Sequence, residues 1–245
     1  MNNYMKNTLK KLGIIRGTKI HSYLVFFKPI YGFIRPSVRS YSQKGEDLLV
    51  DAFFNRRSNG YYLDIGCFHP KWVSNTHLFH KKGWSGTVVD IDEFKLKWFE
   101  RLRKSKVKTI HSAVVDKPKG ISVSKVYKFI NHGISLIDTL DKKTAENNRS
   151  KGWGDFKIEE INTIDINTLL DSLPHVNFLN IDVEGMDSKI VGSIDLSKYK
   201  IDLILFEDTK VYGGTKRLIK KLEGSGYFHL FTSGGSVCYA LQKNS

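Results

Sequence analysis

What most restricts how this chain can fold is the order of its apolar runs. From Tyr41 onward, short strand-like runs alternate with helix-like segments of about 8–12 residues. Tyr61–Ile65, Thr87–Ile91, Lys108–Val114, Val176–Val183 and Ile201–Glu207 read as strands. Glu46–Phe54, Asn75–Lys82, Phe94–Lys104, Asp165–Ser172, Gly185–Gly192 and Thr215–Glu223 read as helices between or after them. Such alternation implies βαβ units, and therefore a doubly wound α/β domain around a mostly parallel sheet. The end of the chain breaks the rule: Tyr227–Thr232 and Val237–Gln242 form an antiparallel hairpin across Gly234-Gly235. Residues 116–160 read as irregular and polar, with short strands near Ser122–Ile130 and Phe156–Glu160.

A chain of 245 residues can bury one full core. The charge divides it further. The formal net charge is +14, and residues 1–40 carry eight of those positive charges (Lys6, Lys10, Lys11, Arg16, Lys19, Lys28, Arg35, Arg39) with no acid. We therefore expect a basic arm over residues 1–40 and one catalytic domain over 41–245. Leu24 to Ile34 make the second part of the arm apolar and aromatic. That suits an interfacial helix on an anionic membrane surface, or a helix packed on protein. The longest apolar run there, Tyr23–Phe27, is far short of the roughly 20 residues that span a bilayer. No secretory signal is evident, and Cys67 and Cys238 fit no zinc spacing. A cytoplasmic protein is expected, peripheral at the inner membrane face if the arm binds lipid.

In open parallel sheets, ligands lie beyond the carboxyl ends of the strands. Those ends are acidic here. The first strand closes on Asp64-Ile65-Gly66, where a carboxylate could meet a cationic amino group and a glycine would let backbone approach a ligand. The second closes on Asp90-Ile91-Asp92, placed to hold two ribose hydroxyls. Ser112 and Ala113 follow the third, short enough to flank a purine. The fourth closes on Asp182-Val183-Glu184-Gly185 and the fifth on Glu207-Asp208. Each acid alone reads equally well as a helix cap. Four acidic strand ends on one rim are costly unless used.

Taken in order, Ser42-Gln43-Lys44-Gly45-Glu46-Asp47, Asp64-Ile65-Gly66-Cys67-Phe68-His69-Pro70, Ser74-Asn75-Thr76, Gly83-Trp84-Ser85-Gly86, Asp182-Val183-Glu184-Gly185 and Glu207 resemble the FkbM-type methyltransferase family over roughly residues 40–210. The resemblance implies a class I methyltransferase (Rossmann-like) fold, S-adenosylmethionine as methyl donor, and an oxygen of a sugar or related metabolite as acceptor. It places Gln43 and Glu46 over the methionine end of the cofactor. Asn75 lies at a helix start whose N–H groups could bind a carboxylate. The family often has an acid followed by Pro after the second strand. Asp-Ile-Asp stands there instead, and we favour Asp90 over Asp92 because it ends the strand.

Methyl transfer to a hydroxyl needs alignment and a group to take the proton. His69, Asp182 and Glu184 are the candidates, and Asp182 is a cofactor candidate as well. Asp182, Glu184, Glu207 and Asp208 could also bind a hard divalent metal. Residues 116–160 are expected to build the acceptor pocket. An RNA acceptor or an NAD-dependent oxidoreductase are the competing readings. Against them stand the nearly balanced charge after residue 40 and the missing Gly-x-Gly-x-x-Gly. Nucleic acid is not an expected partner, and oligomeric state is not legible.

Overall fold

The computed structural model describes residues 39–116, 121–130, 135, 137–207 and 215–242. The expectations for residues 1–38 therefore lie outside the described residues. In chain order the elements are α1 (Glu46–Phe53), β1 (Tyr61–Ile65), α2 (His77–Lys82), β2 (Ser85–Asp90), α3 (Glu93–Arg103), β3 (Val107–His111), β4 (Ala113–Val115), β5 (Ile121–Phe129), α4 (Lys142–Ser150), β6 (Phe156–Asp165), α5 (Ile166–Asp171), β7 (Phe178–Ile181), α6 (Asp187–Ser193), β8 (Leu203–Glu207), α7 (Thr215–Gly224), β9 (Tyr227–Ser233) and β10 (Ser236–Leu241). Contacts divide the chain into two compact units, with residues 125–159 in one and 39–124 plus 160–245 in the other.

The larger unit is built on a seven-stranded sheet in the order β3-β2-β1-β7-β8-β10-β9. β1, β2, β3, β7 and β8 are parallel, and β10 runs antiparallel between β8 and β9. Alternation along the strands sends neighbours to opposite faces. Leu63, Ile65, Leu179, Ile181, Ile204 and Phe206 pack with Ile166, Leu169, Ile190, Val191, Leu218 and Leu222, so α5, α6 and α7 cover that face. Tyr62, Val88, Phe178, Leu203, Leu205 and Cys238 pack with Val50, Phe54, Phe79, Leu96 and Phe99, so α1, α2 and α3 cover the other. A parallel sheet buried on both faces in this way is held chiefly by apolar burial.

Two sequence expectations need correction. The third strand, read as Lys108–Val114, breaks at Ser112: residues 107–111 join the large sheet, and 113–115 start a three-stranded sheet of order β4-β6-β5. Backbone bonding explains the break, because the Ser112 N–H turns back to the Asp90 carbonyl and its hydroxyl donates to Asn162 O at 2.8 Å. Residues 116–160 are also more regular than expected. β5 is nine residues and β6 ten, and α4 was not foreseen. In the smaller unit, Phe156 packs on Tyr127, Phe129 and Ala145, and Lys128 pairs with Glu159 at 2.9 Å. Among the described residues no helix is long and apolar enough to cross a membrane.

Candidate active site

β1 and β7 are hydrogen-bonded neighbours, yet β1 leads toward β2 on one side and β7 toward β8 on the other. Strand order reverses between them, which is where such sheets bind ligands. The two outgoing segments touch directly, the Asp182 N–H donating to Ile65 O at 2.9 Å, while on its other side the Gly66 N–H donates to Val89 O of β2 at 2.8 Å. Gly66 has φ of 81°, and a Cβ there would stand 1.8 Å from the Asp182 carbonyl oxygen. The close approach expected at Gly66 is thus first of all to backbone.

Asp64 lies beneath this junction, 3% exposed. One carboxylate oxygen accepts from Thr76 Oγ1 at 2.6 Å and the other from Asn180 Nδ2 at 2.8 Å. Asn180 Oδ1 in turn accepts from Asn75 Nδ2 at 2.9 Å. Asn75 and Thr76 therefore serve the strand ends through their side chains. The helix they precede is only six residues, His77–Lys82, and Thr76 gives it no side-chain cap. Burial pushes the Asp64 carboxyl upward, while the Thr76 bond, the positive charge of Arg103 and the Asn180 bond pull it back.

Asp90 ends β2 and is 4% exposed. Its Oδ1 accepts from the Asp92 N–H at 2.8 Å and lies 3.5 Å from Lys95 Nζ. Asp92 is committed as the cap of α3, accepting from Phe94 N–H at 2.9 Å. Burial raises Asp90 to about 6, with the Lys95 ammonium opposing the rise. Asp92 thus caps α3, while Asp90 holds the turn into that helix and faces Lys95.

Acids also gather at the ends of β7 and β8. Glu184 holds φ of 53° and Gly185 of 101°, so the turn after β7 carries two left-handed residues in a row. Asp187, fully buried, braces it by accepting from the Val183 N–H at 3.2 Å and the Gly185 N–H at 3.3 Å. Removal from water lifts Asp182 to about 7, with Glu207 and Asp64 adding like-charge repulsion. The Asp182 side chain stays open to solvent, so that repulsion is the more durable part of its shift. Burial and the neighbouring Asp182 raise Glu184 to about 8, and burial likewise raises Asp187 to about 8 and pushes Glu207 upward. Among the described residues no group of three or more metal-ligating side chains converges. Asp208 lies outside them.

The other sequence candidates occupy quieter positions. His69 is 2% exposed, and its Nδ1 accepts from the Lys71 and Trp72 N–H groups at 2.9 and 3.0 Å. Burial drives it down to about 3, so the ring is neutral and weakly basic, a turn anchor by geometry. Ser112 and Ala113 are buried at the break between β3 and β4, with the Ser112 hydroxyl on backbone. Glu46 is buried against the hairpin turn, accepting from the Lys44 N–H at 2.9 Å and from Ser233 Oγ at 3.3 Å. Gln43 beside it is exposed. Ser42 accepts from the Gly45 and Asp47 N–H groups, and Asp47 ties down Ser40, Tyr41 and Ser42. None of these bonds links residues 42–47 to Asp64 or Asp90.

Sequence reasoning missed Asn180, Lys95 and Arg103. Asn180 hid inside an apolar strand. Lys95 and Arg103 did carry a signal: with Leu96 and Phe99 they occupy positions 95, 96, 99 and 103, one face of a helix, and all four are buried.

The parallel sheet closed by an antiparallel strand, with acids at the strand ends, defines a methyltransferase-like α/β protein. The model of the family described as "Methyltransferase FkbM domain" matches residues 59–228, and the chain belongs to that family. It is an S-adenosylmethionine-dependent methyltransferase. No curated protein matches it significantly. Similar solved structures include a TehB-like SAM-dependent methyltransferase from Corynebacterium glutamicum, 12% identical with a TM-score of 0.45, covering 92% of this chain and 100% of that one. An SAH-bound methyltransferase from Podospora anserina is 10% identical with a TM-score of 0.42, covering 99% and 97%.

Proposed function

We propose that the protein O-methylates a sugar hydroxyl, in a glycan or in a lipid- or nucleotide-linked sugar intermediate. One observation carries this reading: Asp182 and Glu184 follow β7 beside Glu207 at the end of β8, and burial, with like charge from Glu207 and Asp64, raises Asp182 to about 7. A carboxylate near neutrality is matched to taking a hydroxyl proton at working pH. An acid-lined rim suits a neutral sugar hydroxyl as the reacting group, with any phosphate of a linked intermediate lying away from it.

The buried groups fit the cofactor. Asp64 and Asp90 are buried carboxylates on adjacent strand ends, Asp64 bonded to the neutral side chains of Thr76 and Asn180 and Asp90 facing Lys95 at 3.5 Å, suited to an ammonium and a ribose diol respectively. Bound S-adenosylmethionine supplies an electrophilic methyl group on a sulfonium that leaves readily. In this reading Asp90 accepts from the ribose hydroxyls, Asp64 faces the amino group, and the Gly66–Asp182 junction fixes the spacing between them. Asp182 receives the acceptor's proton on a carboxylate oxygen, with Glu184 beside it as the second acid.

Asp90→Asn is expected to weaken S-adenosylhomocysteine binding about 10- to 100-fold, the scale of a hydrogen bond to a charged group. Asp92→Asn keeps a good helix cap and should cost less than about threefold. Calorimetry on both, with NAD titrated in parallel, checks the assignment, and tighter binding of NAD than of S-adenosylhomocysteine would remove it. For the acceptor, mass spectrometry should compare glycans from cells with and without the gene. Loss of one methyl group from a sugar supports the reading, whereas a loss confined to RNA sinks it.

A further inference from the structure

Arg103 ends α3, is 1% exposed, and makes no ion pair among the described residues. Its Nε and Nη2 donate to Pro70 O at 2.9 and 2.8 Å, and Nη2 also to Ser74 Oγ at 2.9 Å. Nη1 donates to Tyr62 Oη and Thr76 Oγ1, both at 3.0 Å. A guanidinium has five N–H donors, and five bonds are made here. The Phe99 ring lies 4.7 Å from its centre. A buried charge is costly unless compensated. The nearest compensation is Asp64, reached through one hydroxyl: Thr76 Oγ1 accepts from Arg103 and donates to Asp64.

We propose that Arg103 is a positioning residue for the cofactor, holding Asp64 oriented through the Thr76 hydroxyl while clamping the segment from Pro70 to Thr76. This rests on the reading of Asp64 as a cofactor contact. A purely structural arginine would clamp the loop without affecting the charge of Asp64, so the two roles separate by pH. Without the relay, Asp64 keeps its burial and its Asn180 bond but loses the Thr76 bond, so its carboxyl rises and cofactor affinity falls selectively toward acid.

Several groups surround the relay. On β1 and its loop, Tyr62 and Cys67 are raised by burial and stay neutral. His69 in the loop, and His77 and His80 on α2, are held at about 3, 3 and 4 by burial and by Arg103. Asp182 after β7 and Asp90 on β2 titrate near 7 and 6, with Lys95 of α3 opposing the rise in both. Arg103 is not among the groups shifting Asp182 or Asp90. Asp182 does feel Asp64 as a like charge, so its titration follows that of Asp64, and the difference from wild type reports the two together.

The test measures S-adenosylhomocysteine affinity by calorimetry from about pH 5.5 to 8.5 for the full chain, for Thr76→Val and for Arg103→Lys. Thr76→Val leaves the guanidinium in place and the three imidazoles suppressed, so its effect enters through Asp64. It also stands if Arg103→Lys fails to fold. The expected result is binding about tenfold or more weaker than wild type near pH 6, with most of the loss recovered near pH 8.5. Binding weakened equally at every pH, or unchanged, in folded Thr76→Val would overturn the proposal and leave Arg103 a loop clamp. Failure of wild type itself to bind would count instead against the cofactor reading.

Discussion

Gly66→Ala should lower the melting temperature by roughly 5–15 °C and abolish measurable S-adenosylhomocysteine binding. The added methyl would meet the Asp182 carbonyl oxygen at 1.8 Å, and that oxygen belongs to backbone pinned by the Asp182 N–H bond to Ile65. Neither side can move without parting β1 from β7. Left-handed backbone at 81° adds about 1–2 kcal/mol for a residue with a Cβ, and overpacking about 1–3 kcal/mol. Differential scanning calorimetry and ligand titration on the same sample check both halves. A variant that melts normally would show that the strand ends have slack, and the switch point would then not be the rigid element described here.

Asp182→Asn should reduce kcat about 100-fold or more, with a smaller loss in cofactor affinity, as expected when a general base is removed. The wild-type rate should climb as pH rises through about 7, where the Asp182 carboxyl gives up its proton. The same change carries a stability signature of definite sign. The folded-state pKa is raised above the ordinary 3.8. Between the two values the folded chain keeps a proton that the unfolded chain has released. The stabilisation is thus fully present below about pH 4 and is lost as pH rises through about 7. Asparagine cannot ionise, so the variant should melt above wild type at about pH 8, by only about 1–3 °C because water reaches the side chain. An unchanged kcat would pass the base role to Glu184. A melting difference that shrinks toward alkaline pH would contradict the crowding described at this rim.

Most of the large sheet was legible because its signals are local. Apolar runs of strand length, glycines at breaks and a double-glycine hairpin place α1, α3, α7 and the β9–β10 pair to within one or two residues of the structure. α4 was not legible, for a clear physical reason. Its sequence is polar all round, only Ala145 is buried, and no stripe marks a face. The remaining local clue was Asp141, which caps it by accepting from Thr144 N–H at 2.8 Å. The break at Ser112 was invisible because it depends on Asn162, fifty residues later in the chain. Site residues divide the same way. Acids at strand ends could be seen one by one, since position along a strand is local information. The relay of Arg103, Thr76 and Asp64 joins three elements, and no spacing in the chain announces it.

The interior position of β10 has a consequence for biosynthesis. β8 has no neighbour on its outer side until residues 236–241 arrive, and β9 can reach the sheet only through them. The hairpin turn they close also carries Ser233, the partner of Glu46 from the opposite end of the domain. On the ribosome, then, the sheet waits for β10, the last strand among the described residues, before it can close, a long-range step that slows folding and leaves edges bare meanwhile. A stop codon upstream of Ser236 would therefore yield a nascent chain fit for chaperones and proteases, and no half-active fragment competing for methyl donor.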